Sequence, residues 1–364
     1  MTHKNSLAFA ARLVLPPKTS EGETGITGSA GRKWILCRLD AILATIGFIA
    51  GLAYAHPIAA EELQVWRHAI VEAKADAGFV LMPGQPEVAS KHGLRVEYVQ
   101  MKGDALALKA LLAGDVDSFE GSPGGAIIAA ARGADVKVVG CYWPGLSYGL
   151  FTSDKITDVE QLKGAVFAIS SPGSLPDLLV RSILEERGIP VTEVRFAAMG
   201  GDADRYRALT AGIIGAAALS TEFAPLAAKN GLKMLVDGHK ELPSYLRLCT
   251  YMSGAALKRH RDAAVNFVAA QMDGIRYAEQ HRSETVALAR TTLTLSGDDA
   301  RPVYVYDQAV NNKLIDPSMP LPVENLIWME QLLLKTGNLS ESFDVSKMVD
   351  TTIRADAFAR TTVK

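Results

Sequence analysis

The sequence predicts an α/β protein of two lobes with a helical C-terminal part. Three observations lead there. Short β-like runs alternate with amphipathic helices from about residue 62, the same alternation starts afresh near residue 158, and from Ala255 the chain turns mainly helical. With 364 residues and 48% hydrophobic content the chain can bury the cores of about two domains.

The first module opens with a strand over Leu63–His68 and a less regular helix to about Lys91. Arg95–Val99 alternates apolar and polar residues and reads as the second strand. Asp104 can cap the helix Ala105–Ala113, which Gly114 ends. Val116–Glu120 is a short strand. Ser122-Pro123 opens the helix Gly124–Arg132, with proline where its missing N–H costs nothing. The valine-rich stretch Val136–Cys141 is the next strand.

The second module begins with Asp158 capping a short helix to Lys163. The strand Ala165–Ile169 runs through Ser170–Ser174 into the helix Leu175–Arg187. Glu193–Ala197 is a strand, and Gly200-Gly201-Asp202 leads into the helix Ala203–Ala211. The strand Ile213–Leu219, the helix Ser220–Asn230 and the strand Lys233–Val236 complete it. Two successive βαβα modules imply two parallel-type sheets. The tail carries helices over His260–His281, Ser283–Thr292, Asp299–Lys313 and Val323–Lys335, the last two separated by Pro317, Pro320 and Pro322. Packed on the first sheet, it would build one lobe from both chain ends. No short-period repeat occurs, so the chain is not a solenoid.

Residues 1–60 read as a targeting segment. Arg32, Lys33 and Arg38 precede an apolar run from Ala41 to Ala55, and Ala53-Tyr54-Ala55 and Ile58-Ala59-Ala60 are candidate cleavage sites. The stretch before Arg32 is a long N-terminal extension for such a signal. The apolar run is shorter than the ~20 residues that span a bilayer. Uncleaved, it would anchor the protein to the membrane. Its removal takes away six basic and three acidic residues, so the rest is more acidic than the whole chain at −2. No basic tract interleaves with aromatics, which excludes nucleic acid as a partner.

Three cysteines occur: Cys37, Cys141 and Cys249. Cys141 and Cys249 could pair in an oxidising compartment, but the preferred reading is two buried, unpaired small side chains. The seven histidines stand singly, without ligand-like spacing, so no metal and no cofactor is expected. There is no P-loop, GxGxxG or HExxH. Gly145-Leu146-Ser147-Tyr148-Gly149 fits G-x-S-x-G, yet extended residues follow it instead of the helix that a nucleophile elbow requires.

Several segments carry a family likeness: Ser90–Glu97 (SKHGLRVE), Ala107–Asp117 (ALKALLAGDVD), Ala129–Val139 (AAARGADVKVV), Ile156–Gly164 (ITDVEQLKG) with Ser171–Ser174, and Ala208–Glu222 (ALTAGIIGAAALSTE). In order and spacing the chain resembles, over about residues 62–350, the periplasmic substrate-binding proteins of nitrate/sulfonate/taurine-type ABC importers. These share a fold with the thiamine-pyrimidine synthase-like proteins. Met82–Glu87 (MPGQPE) departs from the aromatic-rich stretch usual there, so the first-lobe wall differs. The resemblance implies a type II periplasmic binding protein fold, with lobe I over 61–150 and 254–364, lobe II over 151–253, and a ligand cleft between them. It places hinges near Tyr148–Asp154 and Cys249–Ser253. It implies a non-enzymatic, periplasmic, monomeric protein that passes a small, anionic organic ligand to an inner-membrane permease. Sulfonate, carboxylate, nitrate-like anion and pyrimidine precursor all stay open. The alternatives are a thiamine-pyrimidine biosynthetic enzyme, whose cysteine-rich motif this chain lacks, and a sensory protein that docks a receptor.

In open α/β sheets ligands bind beyond the carboxyl ends of the strands. Gly121–Gly125, Ser170–Ser174 and Gly200–Asp202 fall there, each at a helix start whose N–H groups favour an anion. Ser122, Ser171 and Ser174 add hydroxyls, while Asp202 reads as a helix cap. Arg67 and His68, taken as the end of the first strand, would face the same mouth, Arg67 toward an anion. Trp143, with Tyr142, could form an apolar wall. Glu222 matches an acidic position near the ligand in the family and could hold an ammonium or hydroxyl group.

Overall fold

A computed structural model describes residues 62–361; the expected targeting segment lies outside the described residues. Among the described residues, ten strands form two five-stranded sheets. The first holds β1 (Gln64–Val71), β2 (Leu94–Met101), β3 (Ser118–Gly121), β4 (Val136–Trp143) and β10 (Leu248–Ser253), in the order β2-β1-β3-β10-β4. The second holds β5 (Tyr148–Ser153), β6 (Val166–Ile169), β7 (Arg195–Ala198), β8 (Ala216–Ser220) and β9 (Leu232–Asp237), in the order β7-β6-β8-β5-β9.

Both sheets are mixed, which corrects the all-parallel expectation. β10 runs antiparallel to β3 and β4, and β5 runs antiparallel to β8 and β9. The remaining ladders are parallel. Each antiparallel strand enters its sheet directly after a crossing between the lobes. The chain crosses at 144–147 and returns at 242–247. The expected hinge segments Tyr148–Asp154 and Cys249–Ser253 are therefore mostly strand. Residues 248–253 belong with the first sheet and 148–150 with the second, so the expected lobe boundaries shift.

The longer helices are α1 (Asp104–Ala113), α2 (Pro123–Ala131), α3 (Leu175–Glu186), α4 (Asp202–Thr210), α5 (Arg261–Gln280), α6 (Arg282–Leu293), α7 (Arg301–Asn311), α8 (Val323–Lys335) and α9 (Thr351–Arg360). Both faces of each sheet are covered, as strand side chains alternate between two cores. In β5, Leu150 joins the core shared with α3, and Phe151 joins the core shared with α4. In β4, Val138 packs toward α1 and α2, and Val139 toward Phe267 and Met272 of α5. The C-terminal helices thus cover one face of the first sheet. α8 packs on α2, and Lys335 at its end pairs with Glu185 of α3 at 2.8 Å, so it touches both lobes.

Cys141 and Cys249 are disulfide-bonded, with an S–S distance of 2.03 Å and both residues fully buried. This corrects the unpaired reading. The two residues are 108 apart in sequence but are register partners on β4 and β10, and that pairing depends on β10 lying in the first sheet.

Candidate functional site

The C-terminal ends of β1, β2 and β3 face those of β6 and β7 across a cleft of about 1170 Å³. Ser122, Ser171 and Ser174 line it. Ser122 is the N-cap of α2, yet its hydroxyl bonds the Tyr245 hydroxyl at 2.8 Å instead of capping the helix. Ser171 and Ser174 fold onto each other: the Ser174 hydroxyl donates to the Ser171 carbonyl at 2.6 Å and accepts from the Ser171 N–H at 3.2 Å. Gly173 between them has φ +74, a left-handed conformation that favours glycine. The three expected turns thus lie at the cleft, at the starts of α2, α3 and α4.

The other expected residues lie elsewhere. β1 continues to Val71, three residues beyond His68, so Arg67 and His68 do not end it. Arg67 pairs with Asp117, which precedes β3, at the opposite end of the sheet from the cleft. His68 is buried, 2.7 Å from the Ser118 hydroxyl through Nδ1 and 3.3 Å from Glu120 through Nε2. It sits behind the cleft wall, because Glu120 lines the cleft and His68 does not. Trp143 is fully buried in the core beneath the Arg247 guanidinium, 4.3 Å from its ring centroid, and donates to the Ser147 hydroxyl at 3.1 Å. Ser147 leads into β5 and not into a helix, so no nucleophile elbow forms. Glu222 is buried and accepts from the Ala75 N–H at 2.7 Å, joining the two lobes without lining the cleft.

The charged residues of the cleft come largely from positions that sequence reasoning passed over. The loop 72–76 after β1 spans from the first lobe to the second. Lys74 reaches Asp202 at 2.6 Å and donates to the Tyr148 hydroxyl, which itself donates to Asp202 at 2.7 Å. Arg205, one turn into α4, holds the other Asp202 oxygen at 2.5 Å and donates to the Gly200 carbonyl. Asp76 takes the Arg247 guanidinium. Asp202, read from sequence as a cap, sits in the first turn of α4 and also accepts from the Ser220 N–H at 3.3 Å. One signal could have found Lys74: a lysine between Glu72 and Asp76 in a loop leaving the C-terminal end of a central strand.

Burial and charged neighbours together set the protonation of these groups. Desolvation alone would raise the Asp202 carboxyl, but Lys74 and Arg205 outweigh it and hold it well below the usual carboxylate range. Desolvation works against the Lys74 ammonium too, yet Asp202 and Tyr148 hold its pKa above the ordinary value. Burial pushes Tyr148 up to about 12, helped by Asp202. Asp104, in the first turn of α1, is pushed up to about 6 by loss of water, which Lys74 and the Ser122 N–H only partly offset. Glu222 is pushed up to about 7 by burial and then by Asp76. Among the described residues, neither Asp104 nor Glu120 has a Lys or Arg partner within 4 Å, and no group of three or more His, Cys, Asp or Glu could hold a metal. The described helices include none long and apolar enough to cross a membrane.

The family model described as NMT1/THI5 like matches residues 90–285. No curated protein matches the chain. Solved structures do. The periplasmic nitrate-binding protein NrtA from Synechocystis PCC 6803 superposes with a TM-score of 0.69 at 14% identity, over 83% of this chain and 90% of that one. The periplasmic aliphatic sulphonate binding protein SsuA from Escherichia coli gives 0.66 at 16% identity, over 79% and 92%. The ligand binding component of an ABC-type import system from Staphylococcus aureus, with zinc bound, gives 0.67 at 16% identity, over 81% and 99%. The fold is that of the periplasmic binding proteins.

Proposed function

The chain belongs to the NMT1/THI5-like family, and from that premise we propose that it is the extracytoplasmic solute-binding component of an ABC-type importer. The observation that carries the reading is the cleft of about 1170 Å³ between the facing strand ends of two lobes joined by two crossings. Such a cleft can close on a small organic solute by hinge motion at 144–147 and 242–247. The similar solved structures named as a nitrate-binding and a sulphonate-binding protein support the role. The helix starts at Ser122 and Ser174 offer N–H donors to an acceptor group such as a carboxylate or sulfonate. The Cys141–Cys249 bond suits an oxidising compartment and supports a periplasmic site of action. In this reading the protein acts as a monomer, hands the solute unchanged to an inner-membrane permease and uses no cofactor. Ser122, Ser171 and Ser174 contact the solute, while Glu222 and the Lys74 loop hold the lobes together.

A thermal-shift screen against carboxylates, sulfonates, nitrate, amino acids and pyrimidine precursors tests this. A solute at a hundred times its Kd adds about 2.7 kcal/mol of stability. The expected result is a saturable shift with the solute recovered unchanged. A solute consumed on incubation would point to an enzyme instead.

A further inference from the structure

Lys74 holds an unusual position. It stands on the first lobe, but its ammonium lies in a pocket of the second. Asp202 is 2.6 Å away, the Tyr148 hydroxyl accepts from it, and the Tyr148 ring centroid lies 5.0 Å from Nζ. A carboxylate, a phenol oxygen and an aromatic face together are what hold a substituted ammonium ion. All three residues line the cleft.

Two further features make the arrangement exchangeable. Asp202 keeps one cationic partner when Lys74 leaves, because Arg205 takes its other oxygen at 2.5 Å. Lys74 also has an alternative partner on its own lobe. Asp104 lines the same cleft, feels the Lys74 charge, and has no Lys or Arg within 4 Å among the described residues.

We propose that Asp202 and Tyr148 form a seat for a protonated nitrogen of the solute, and that Lys74 occupies this seat as a built-in competitor and leaves it toward Asp104. The inference rests on the cleft being a solute site, and it narrows the solute to an organic cation or a zwitterion. An acceptor group on the same solute would meet the helix starts at Ser122 and Ser174. A solute without the nitrogen has nothing to offer Asp202 in exchange for Lys74, so Lys74 acts as a specificity filter.

Ethylammonium chloride is the probe. It should raise the Tm of Lys74→Ala saturably above sodium chloride at equal ionic strength, and it should do so more weakly in Lys74→Ala with Tyr148→Phe. A Lys74→Ala protein that responds to both salts alike would overturn the proposal. Should Lys74→Ala not fold, Lys74→Met keeps the stem and frees the seat. Calorimetry should then show amine-bearing solutes binding at least tenfold more tightly than to the wild type, and equal or weaker binding would overturn the proposal. A nitrogen-free solute that binds the wild type and Lys74→Met equally would sink this inference and leave the solute-binding reading standing. If the wild type binds no solute of any kind, that reading itself fails, and the ethylammonium result still reports on the seat.

Discussion

Glu222 shows how one buried carboxyl ties stability to pH. Its pKa rises from 4.5 to about 7 on folding. A raised acid keeps its proton in the folded state while the unfolded chain has already ionised. The associated stability is therefore complete below about pH 4.5 and is lost as pH rises to about 7. At 1.36 kcal/mol per unit, the loss is at most about 3 kcal/mol. Asp104, raised to about 6, has the same sign. Glu222→Gln keeps an oxygen for the Ala75 N–H and cannot ionise. The variant should gain stability at pH 8 but not at pH 4, so the fall in Tm between these values narrows. A Tm profile parallel to the wild type would mean that the penalty arises elsewhere. At this scale the sequence was partly legible. The place of Ser122, Ser171 and Ser174 at the cleft is legible because a strand end, a small-residue turn and a helix start are all local patterns. Arg67 and His68 were misplaced because β1 runs on through Ala69, Ile70 and Val71, apolar residues that local periodicity divided from the strand. Lys74, Asp76 and Arg247 were missed because their partners come from the other lobe or the crossing segment, which no local pattern announces.

At the scale of elements, the informative feature is the pair of strands that reverse direction. β5 and β10 each follow a crossing and each run against their neighbours. Alternation of strand and helix predicted both sheets, since it reports local conformation. It carries no information on which distant strand β10 joins, so the segment was read as a hinge and Cys249 as unpaired. The disulfide lies beside both crossings: Cys141 is near the end of β4 and Cys249 near the start of β10. It closes a loop that contains the whole second sheet. Removing a bond across a loop of this length costs on the order of 2–5 kcal/mol, because the unfolded chain regains the freedom the bond denied it. Cys141→Ala with Cys249→Ala should lower the denaturant midpoint accordingly while leaving the native fold intact. The reduced wild type should match the double variant. A midpoint unaffected by both treatments would show that the strand ladder alone sets the stability here.

At the scale of the molecule, two kinds of contact hold the lobes together, and they answer to different perturbations. Packing contacts include α7 against the turn Thr221–Phe223, and the close approach of α2 to the loop at Gly173, where a Cβ on Gly124 would lie 3.2 Å from the Gly173 carbonyl oxygen. Polar contacts include the exposed Lys335–Glu185 pair and, from the loop 72–76, the Lys74–Asp202–Tyr148 group and the Ala75–Glu222 bond. Packing resists sliding but gains little from a particular degree of closure. The polar group requires closure, because its partners stand on opposite lobes. Its loss should therefore open the cleft without unfolding either sheet. Lys74→Met tests this, as it keeps most of the apolar stem and removes the charge. Small-angle scattering should give a larger radius of gyration for solute-free Lys74→Met than for the wild type, and a bound solute should bring the two to the same value. Arg67→Ala, which breaks a pair at the far end of the first sheet, should leave the radius unchanged. If Lys74→Met and wild type scatter alike before and after solute binding, packing alone sets the closed state, and the Lys74 group follows closure without driving it.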